Sequence, residues 1–371
     1  VNRTTAADTT VQLGNATLPN PILTASGCFA SGREIDRLWD ITDLGAVVVK
    51  SITLEPRTGL PTPRMAETPS GMLNAIGLQN PGVDAWVERD LPYLRRRGAR
   101  VVASIAGNSV DDYREVARRL ATARGIDAFE INLSCPNVEH RGLVFAVDPD
   151  RSARVVRAVR GVLPEADLFA KLTPDVTSIT EVAHAVVDAG ATGVAAINTT
   201  LGMAIDPVTG RPQVANGYAG LSGPAIRPMA VRAVHQLHVA LGPDVPIIGM
   251  GGARTVEDVV EFVRAGASVV AIGTATFADP FTAHDLVRDL GAWLDRHGFS
   301  SLAELRGQVQ AWPHHVPAVL GKADDDGPMP PEVPTDATSP DGSPDDDAEA
   351  GPGDEEGEPG SVAVVRAAEP S

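Results

Sequence analysis

The sequence predicts an α/β protein: a (β/α)8 TIM barrel with a small N-terminal hairpin and a disordered acidic C-terminal tail. Three observations point there. Eight short β-branched apolar runs recur over roughly 300 residues, a typical length for such a barrel. Amphipathic stretches lie between them. The runs are apolar on consecutive residues rather than alternating, as parallel strands covered on both faces require. A doubly wound open sheet usually has fewer strands and an early glycine-rich dinucleotide turn, and no such turn is present.

Taken in chain order, Thr10–Leu13 and Ala16–Leu18 flank Gly14-Asn15 and predict the hairpin. The barrel strands are expected at Ile22–Ala25, Ala46–Ile52, Arg100–Ala106, Ala128–Leu133, Leu168–Leu172, Gly193–Asn198, Pro246–Gly249 and Ser268–Ile272. A helix is expected after each strand. The clearest patterns are Val110–Arg124, Ser152–Val162, Ile179–Ala189, Ile226–Leu241, Val256–Ala265 and Thr282–His297. Residues 1–322 form the barrel domain in this reading, and 323–371 form the tail. Asp324–Gly360 consists almost wholly of Asp, Glu, Pro, Gly, Ser and Thr, too little apolar surface to offset the entropy of ordering.

The 371-residue chain has a formal net charge of −17, but residues 323–371 hold 15 acidic residues against the single base Arg366. The first 322 residues are left with 33 acids and 30 bases. A body without basic surplus argues against nucleic acid as a partner. Two cysteines, Cys28 and Cys135, exclude a disulfide framework and any four-cysteine metal or iron–sulfur site within this chain. No apolar run approaches the roughly 18–20 residues that span a bilayer. Val1–Gln12 lacks the basic-then-apolar pattern of a signal peptide. A soluble cytoplasmic protein with no membrane partner is expected.

In this architecture chemistry sits at the C-terminal ends of the strands. Those ends read Ser26-Gly27, Lys50-Ser51, Gly107-Asn108, Asn132 through Asn137, Lys171, Asn198-Thr199-Thr200, Gly251-Gly252 and Gly273-Thr274. All eight are polar or bare backbone. Among 31 basic residues only Lys50, Lys171 and Lys322 are lysines, and two of those fall in predicted strands. A compact ammonium is needed there, not a guanidinium fork. The glycines ending strands seven and eight suit a phosphate dianion, without distinguishing a flavin mononucleotide from a sugar phosphate. Cys135, followed by Pro136 at a strand end, is the candidate proton acceptor. The segment Val138–Val147 reads as a loop able to cover a site, with His140 within it. Cys28, His184, His235, His238 and the tryptophans (Trp39, Trp86, Trp293, Trp312) read as packing or surface residues, and His314-His315 as no metal site.

Three segments carry a family resemblance: Asn74-Ala-Ile-Gly-Leu-Gln-Asn-Pro-Gly82, Ile131-Asn-Leu-Ser-Cys-Pro-Asn137 and Asn198-Thr-Thr-Leu-Gly-Met203. Together with the Gly-Gly and Gly-Thr loops they closely resemble class 1 dihydroorotate dehydrogenase, in order along the chain. The form of the first segment resembles the NAD-linked 1B subclass, catalytic subunit. The tail has no counterpart in this resemblance.

The resemblance implies an FMN-containing barrel that oxidises dihydroorotate to orotate in pyrimidine synthesis. It implies Cys135 as the base for the C5 proton, with hydride passing from C6 to flavin N5. Substrate would be held by Lys50, Asn74, Ala75, Ile76, Gly77, Leu78, Asn132, Asn137, Asn198 and Thr199. Flavin would contact Ser26, Lys50, Ser51, Asn108, Asn132, Lys171, Ile197, Gly223, Gly251, Gly252, Gly273 and Thr274. Because this chain lacks cysteines for a cluster, the 1B resemblance also implies a separate FAD and [2Fe–2S] electron-transfer subunit, in a heterotetramer built on a homodimer of barrels. Alternatives are a dihydropyrimidine dehydrogenase-like flavin barrel, a class 1A-like enzyme using fumarate, an aldolase with Lys171 as Schiff-base lysine, and a scaffold acting through its tail.

Overall fold

A computed structural model of the chain describes residues 7–134, 136–137 and 143–310. Eight parallel strands form its centre: β1 (Ile22–Thr24), β2 (Val47–Val48), β3 (Val101–Ile105), β4 (Ala128–Asn132), β5 (Leu168–Leu172), β6 (Gly193–Ala196), β7 (Ile247–Met250) and β8 (Val269–Ile272). Each pairs in parallel with the next, β8 pairs with β1, and a parallel bridge from Leu23 to Ala46 closes the ring between β1 and β2. The eight predicted strands are all found. The second is shorter than the apolar run suggested, so Lys50 lies beyond its ladder.

The longer helices are α1 (Leu91–Arg97), α2 (Val110–Leu120), α3 (Pro149–Arg160), α4 (Ile179–Asp188), α5 (Arg227–Leu241), α6 (Val256–Ala265) and α7 (Thr282–His297). Their starts are set by local chemistry. The side chains of Ser109, Asp148, Ser178 and Thr255 each accept a backbone N–H of the first turn of α2, α3, α4 and α6. The expectation of a helix after every strand fails at β1, which is followed only by the short 3-10 turns Ile35–Arg37 and Ile41–Asp43. Gly27 and Gly32 there adopt φ of 97° and 80°, a backbone that interrupts a helix.

Two apolar layers hold the barrel together. One lies between strands and helices. The other fills the lumen with Leu23, Ala46, Val48, Val102, Ala128, Phe169, Ala195, Ile248, Met250, Val269 and Ala271. The predicted hairpin, Val11–Leu13 paired with Ala16–Leu18, contributes Leu13 and Leu18 to that lumen, each 1% exposed. It therefore plugs the N-terminal end of the barrel. Asp167 ties down its turn by accepting the backbone N–H of Asn15 at 2.7 Å.

A four-stranded antiparallel sheet was not anticipated. Its order is Thr200–Gly202, Ala219–Ser222, Gly71–Asn74, Met65–Thr68. It joins the loop after β2 to the loop after β6. His238 packs against Gly266 and Gly307, and Trp39, Trp86 and Trp293 are buried, in keeping with packing roles. No helix among the described residues is long and apolar enough to cross a membrane. Trp312, His314, His315 and the tail lie outside the described residues.

Leu18→Ala tests the plug. Deleting a fully buried leucine should lower the unfolding free energy by about 2–5 kcal/mol, read as a shifted denaturant midpoint at unchanged slope. A loss below about 0.5 kcal/mol would mean that the hairpin is not part of the core.

Candidate active site

Side chains alternate across a strand, so positions two residues beyond a lumen residue face the barrel axis as well. Counting on from Val102, Ala128 and Phe169 gives Ser104, Glu130 and Lys171, and from Glu130 gives Asn132. The register agrees: Ser104 pairs with Glu130 across β3–β4, and Asn132 with Lys171 across β4–β5. Above the apolar lumen, polar side chains thus replace leucines and valines.

These side chains form one series. Asn132 Nδ2 donates to Ser51 Oγ at 3.1 Å. The Ser51 and Ser104 hydroxyls are 2.9 Å apart, and Ser104 donates to Glu130 Oε1 at 2.9 Å. Lys171 Nζ stands 3.5 Å from the same carboxylate oxygen and donates to Ser26 Oγ at 3.1 Å. On the other side, Asn198 Nδ2 approaches Asn132 Oδ1 at 3.4 Å. The chain then passes to Thr199, whose side chain abuts Gly220, and Gly220 pairs with Asn74 in the antiparallel sheet. Seven predicted residues (Ser26, Ser51, Asn74, Asn132, Lys171, Asn198, Thr199) therefore stand in one contiguous wall. Asparagines in such a wall offer both donor and acceptor to a planar polar ligand.

The opposite side is lined by backbone. Gly251, Gly252 and Gly223 have φ of 125°, 93° and 95°. A Cβ on Gly252 would stand 2.7 Å from the Gly223 carbonyl oxygen, and one on Gly251 would stand 3.3 Å from Ile197. Thr274 Oγ1 donates to Ser222 Oγ at 2.8 Å, next to Gly223. Gly273 faces Ala25 and Cys28. So Ile197, Gly223, Gly251, Gly252 and Thr274 lie together near the ends of β6, β7 and β8. The start of α6 is not open to an anion, because Asp258 accepts the backbone N–H groups of both Arg254 and Thr255. A phosphate would have to use the glycine loops instead.

Lys50 lies near Gly27, its Nζ 3.4 Å from where a Cβ would stand, and so reaches the end of β1. Burial pushes the Cys28 thiol up to about 11, against the opposing pull of the Lys171 and Lys50 charges. Cys28 thus sits beside the two lysines and is held as a neutral thiol, a placement its sequence neighbours did not signal.

Two further groups of predicted residues make contacts of their own within the protein. Asn108 accepts from Arg57 at 2.7 Å, and its backbone N–H donates to Asp112. Ala75, Ile76, Gly77 and Leu78 follow Asn74 in a strap bound to residues 57–64, for instance by Leu60 N–H to the Ile76 carbonyl at 3.0 Å. Asn80, overlooked in the sequence, fixes this strap. Its amide bonds Thr53, Leu78 and Gly82, using both its donor and its acceptor. Glu130 and Ser104 were also missed; a glutamate inside a five-residue buried strand was the available signal. Cys135 and His140 lie outside the described residues, as does the side chain of Asn137. The backbone of Pro136–Asn137 pairs with Leu143–Val144. Among the described residues no cluster of His, Cys, Asp and Glu could hold a metal ion.

Residues 9–294 match the family described as dihydroorotate dehydrogenase. The chain is 47% identical over 306 residues to a protein of Bacillus pumilus, covering 82% of this chain and 97% of the relative. It is 49% identical over 298 residues to one of Geobacillus kaustophilus, covering 80% and 94%. It is 46% identical over 299 residues to one of Listeria innocua, covering 81% and 97%. All three relatives are named dihydroorotate dehydrogenase B (NAD(+)), catalytic subunit.

In a Cys135→Ser variant Cys28 is the chain's one thiol. At pH 8 a thiol titrating near 11 is about 0.1% thiolate, whereas an ordinary one near 8.5 is roughly a quarter ionised. Alkylation by iodoacetamide should therefore be about two orders of magnitude slower folded than unfolded. Equal rates would show that Cys28 is not shielded in this way.

Proposed function

Because the chain belongs to the dihydroorotate dehydrogenase family, we propose that it oxidises (S)-dihydroorotate to orotate in pyrimidine biosynthesis with FMN as its bound flavin and NAD+ as final acceptor. The observation that carries this reading is the wall at the barrel mouth, where Lys171, Ser26, Ser51, Asn132 and Asn198 meet in one bonded set. At the opposite, N-terminal end of the barrel the cationic side chains are engaged by the protein itself. Arg160 and Arg306 there donate to backbone carbonyls at strand and helix ends.

The residues present fit a flavin mononucleotide. Gly223, Gly251 and Gly252 are kept free of side chains by tight packing, and bare backbone N–H groups in glycine loops of this kind suit a phosphate. Lys171, with its side chain 5% exposed, places a positive charge at the end of β5. Ser26, Ser51, Asn108, Ile197, Gly273 and Thr274 complete the set assigned to the flavin. When bound, FMN supplies a two-electron acceptor for the hydride that leaves C6. The chain's own residues do the rest. Cys135 takes the C5 proton, so that loss of a proton and a hydride leaves the C5–C6 double bond. Lys50 meets the substrate carboxylate, while Asn74, Asn132, Asn137, Asn198 and Thr199 meet the ring carbonyl and N–H groups. The Ala75–Leu78 strap borders the substrate. Lys171 favours the negative charge gained at the reduced flavin edge.

The relatives' names speak of a catalytic subunit, and so of a further subunit. With two cysteines the chain holds no [2Fe–2S] cluster of its own. We assign the cluster and FAD to a separate electron-transfer subunit, docked in a heterotetramer around a homodimer of barrels. The same reading places the enzyme in the cytoplasm.

The purified chain should show an oxidised-flavin band near roughly 450 nm that bleaches on anaerobic addition of dihydroorotate but not of dihydrouracil. Cys135→Ser should keep the band and bleach about 10²–10⁴-fold more slowly. NAD+ reduction should appear only with the second subunit. Absence of bound FMN after supplementation would refute the reading. Bleaching by dihydrouracil alone would move the substrate to an uncharged pyrimidine.

A further inference from the structure

Glu130 is the most buried ionisable side chain of the barrel mouth, with 0% exposure. Its partners are two. Oε1 accepts from Ser104 at 2.9 Å and lies 3.5 Å from Lys171 Nζ. Oε2 is buried and has no hydrogen-bond partner among the described residues. A carboxylate in such surroundings costs several kcal/mol to bury, and a strand-interior valine would fill the layer without that cost. Something other than packing retains it.

The hydrogen-bond directions show what it organises. Asn132 can only donate through Nδ2, so Ser51 accepts there and must give its own proton to Ser104. Ser104 in turn gives its proton to the carboxylate. Every donor in the series points toward Glu130, which leaves Asn132 Oδ1 turned to Asn198 Nδ2 and the Ser134 N–H. At the same oxygen the Lys171 ammonium finds its anionic partner, with Ser26 as its second contact.

We propose that Glu130 is a positioning residue: it anchors the charged Lys171 at the flavin edge and, through Ser104 and Ser51, sets the orientation of the Asn132 amide. The proposal rests on the flavin-binding reading above. It acts through other groups; Glu130 itself touches neither ligand. Without the carboxylate, a buried ammonium has no anion beside it. Lys171 then turns away, and reduced flavin loses a stabilising charge.

The test is the midpoint potential of bound FMN in the wild-type protein, Glu130→Gln, Lys171→Gln and the double variant. Lys171→Gln should disfavour reduced flavin at least tenfold, about 30 mV for a two-electron couple. Glu130→Gln should move the potential in the same direction by at least half that logarithm. The double variant should match Lys171→Gln alone. Glu130→Asp, which keeps the charge but draws it back by one methylene, should shift the potential the same way and serves if the glutamine variant does not fold. Ser104→Ala should leave the potential within threefold and weaken orotate binding at least threefold, measured by titrating the flavin spectrum. A potential that rises, or stays within twofold, in either Glu130 variant would overturn the proposal, as would additive effects in the double variant. Those outcomes all require bound flavin. A wild-type protein that binds none would instead sink the reading on which the proposal rests.

Discussion

The contact between Lys171 and Glu130 at 3.5 Å is where the two halves of this molecule meet. Below it the lumen is apolar and closed by Leu13 and Leu18 from the hairpin. Above it the strand ends are polar. A buried ion pair adds little to stability, because desolvation offsets its Coulombic gain. Its value here is geometric. It holds the Lys171 ammonium inside the barrel at a fixed height, and the serines and asparagines on neighbouring strands take their directions from the carboxylate. The stability that tolerates this costly layer comes from the apolar layers beneath and around it.

The site uses side chains and backbone for different tasks. The β4–β6 side presents amides, hydroxyls and an ammonium, groups whose orientation can be set by hydrogen bonds. The β7–β8 side presents glycines whose positive φ brings bare backbone close. A phosphate needs many equivalent N–H donors and little discrimination. A pyrimidine ring needs donors and acceptors in a defined order. The division follows from the two halves of the proposed ligand set, and it explains why the start of α6 can be spent on its own capping box with Asp258.

Much of this was legible in the sequence for one reason: buried parallel strands are written as continuous apolar runs, so all eight stood out, and the polar residues that end them stood out by contrast. The antiparallel sheet was illegible because its strands are short and mixed. Met65–Thr68 alternates between exposed and half-buried, and Gly71–Asn74 pairs with a segment nearly 150 residues away. The missing helix after β1 was a matter of two glycines whose φ only the folded chain reveals. Cys28 was dismissed because its charged neighbours come from β5 and the end of β2, not from its own loop. Asn108 reads identically to Asn132 at a strand end, yet Arg57, from a distant loop, takes its side chain.

The lysine arithmetic carries the same logic to its end. This chain uses arginine for nearly every positive charge, including the two at the N-terminal end of the barrel that cap backbone carbonyls. Arg160 serves four carbonyls with its broad fork. At the mouth Lys171 lies between Ser26 on the loop after β1 and Glu130 on β4, and the acceptors it meets are one hydroxyl and one carboxylate oxygen. A planar guanidinium would bring five donors to those two acceptors and leave buried N–H groups unpaired. An ammonium on a flexible stem brings three, two of which are met by Ser26 and Glu130. The choice of lysine at position 171, visible in composition alone, thus suits a buried position where a compact ammonium meets one hydroxyl and one carboxylate.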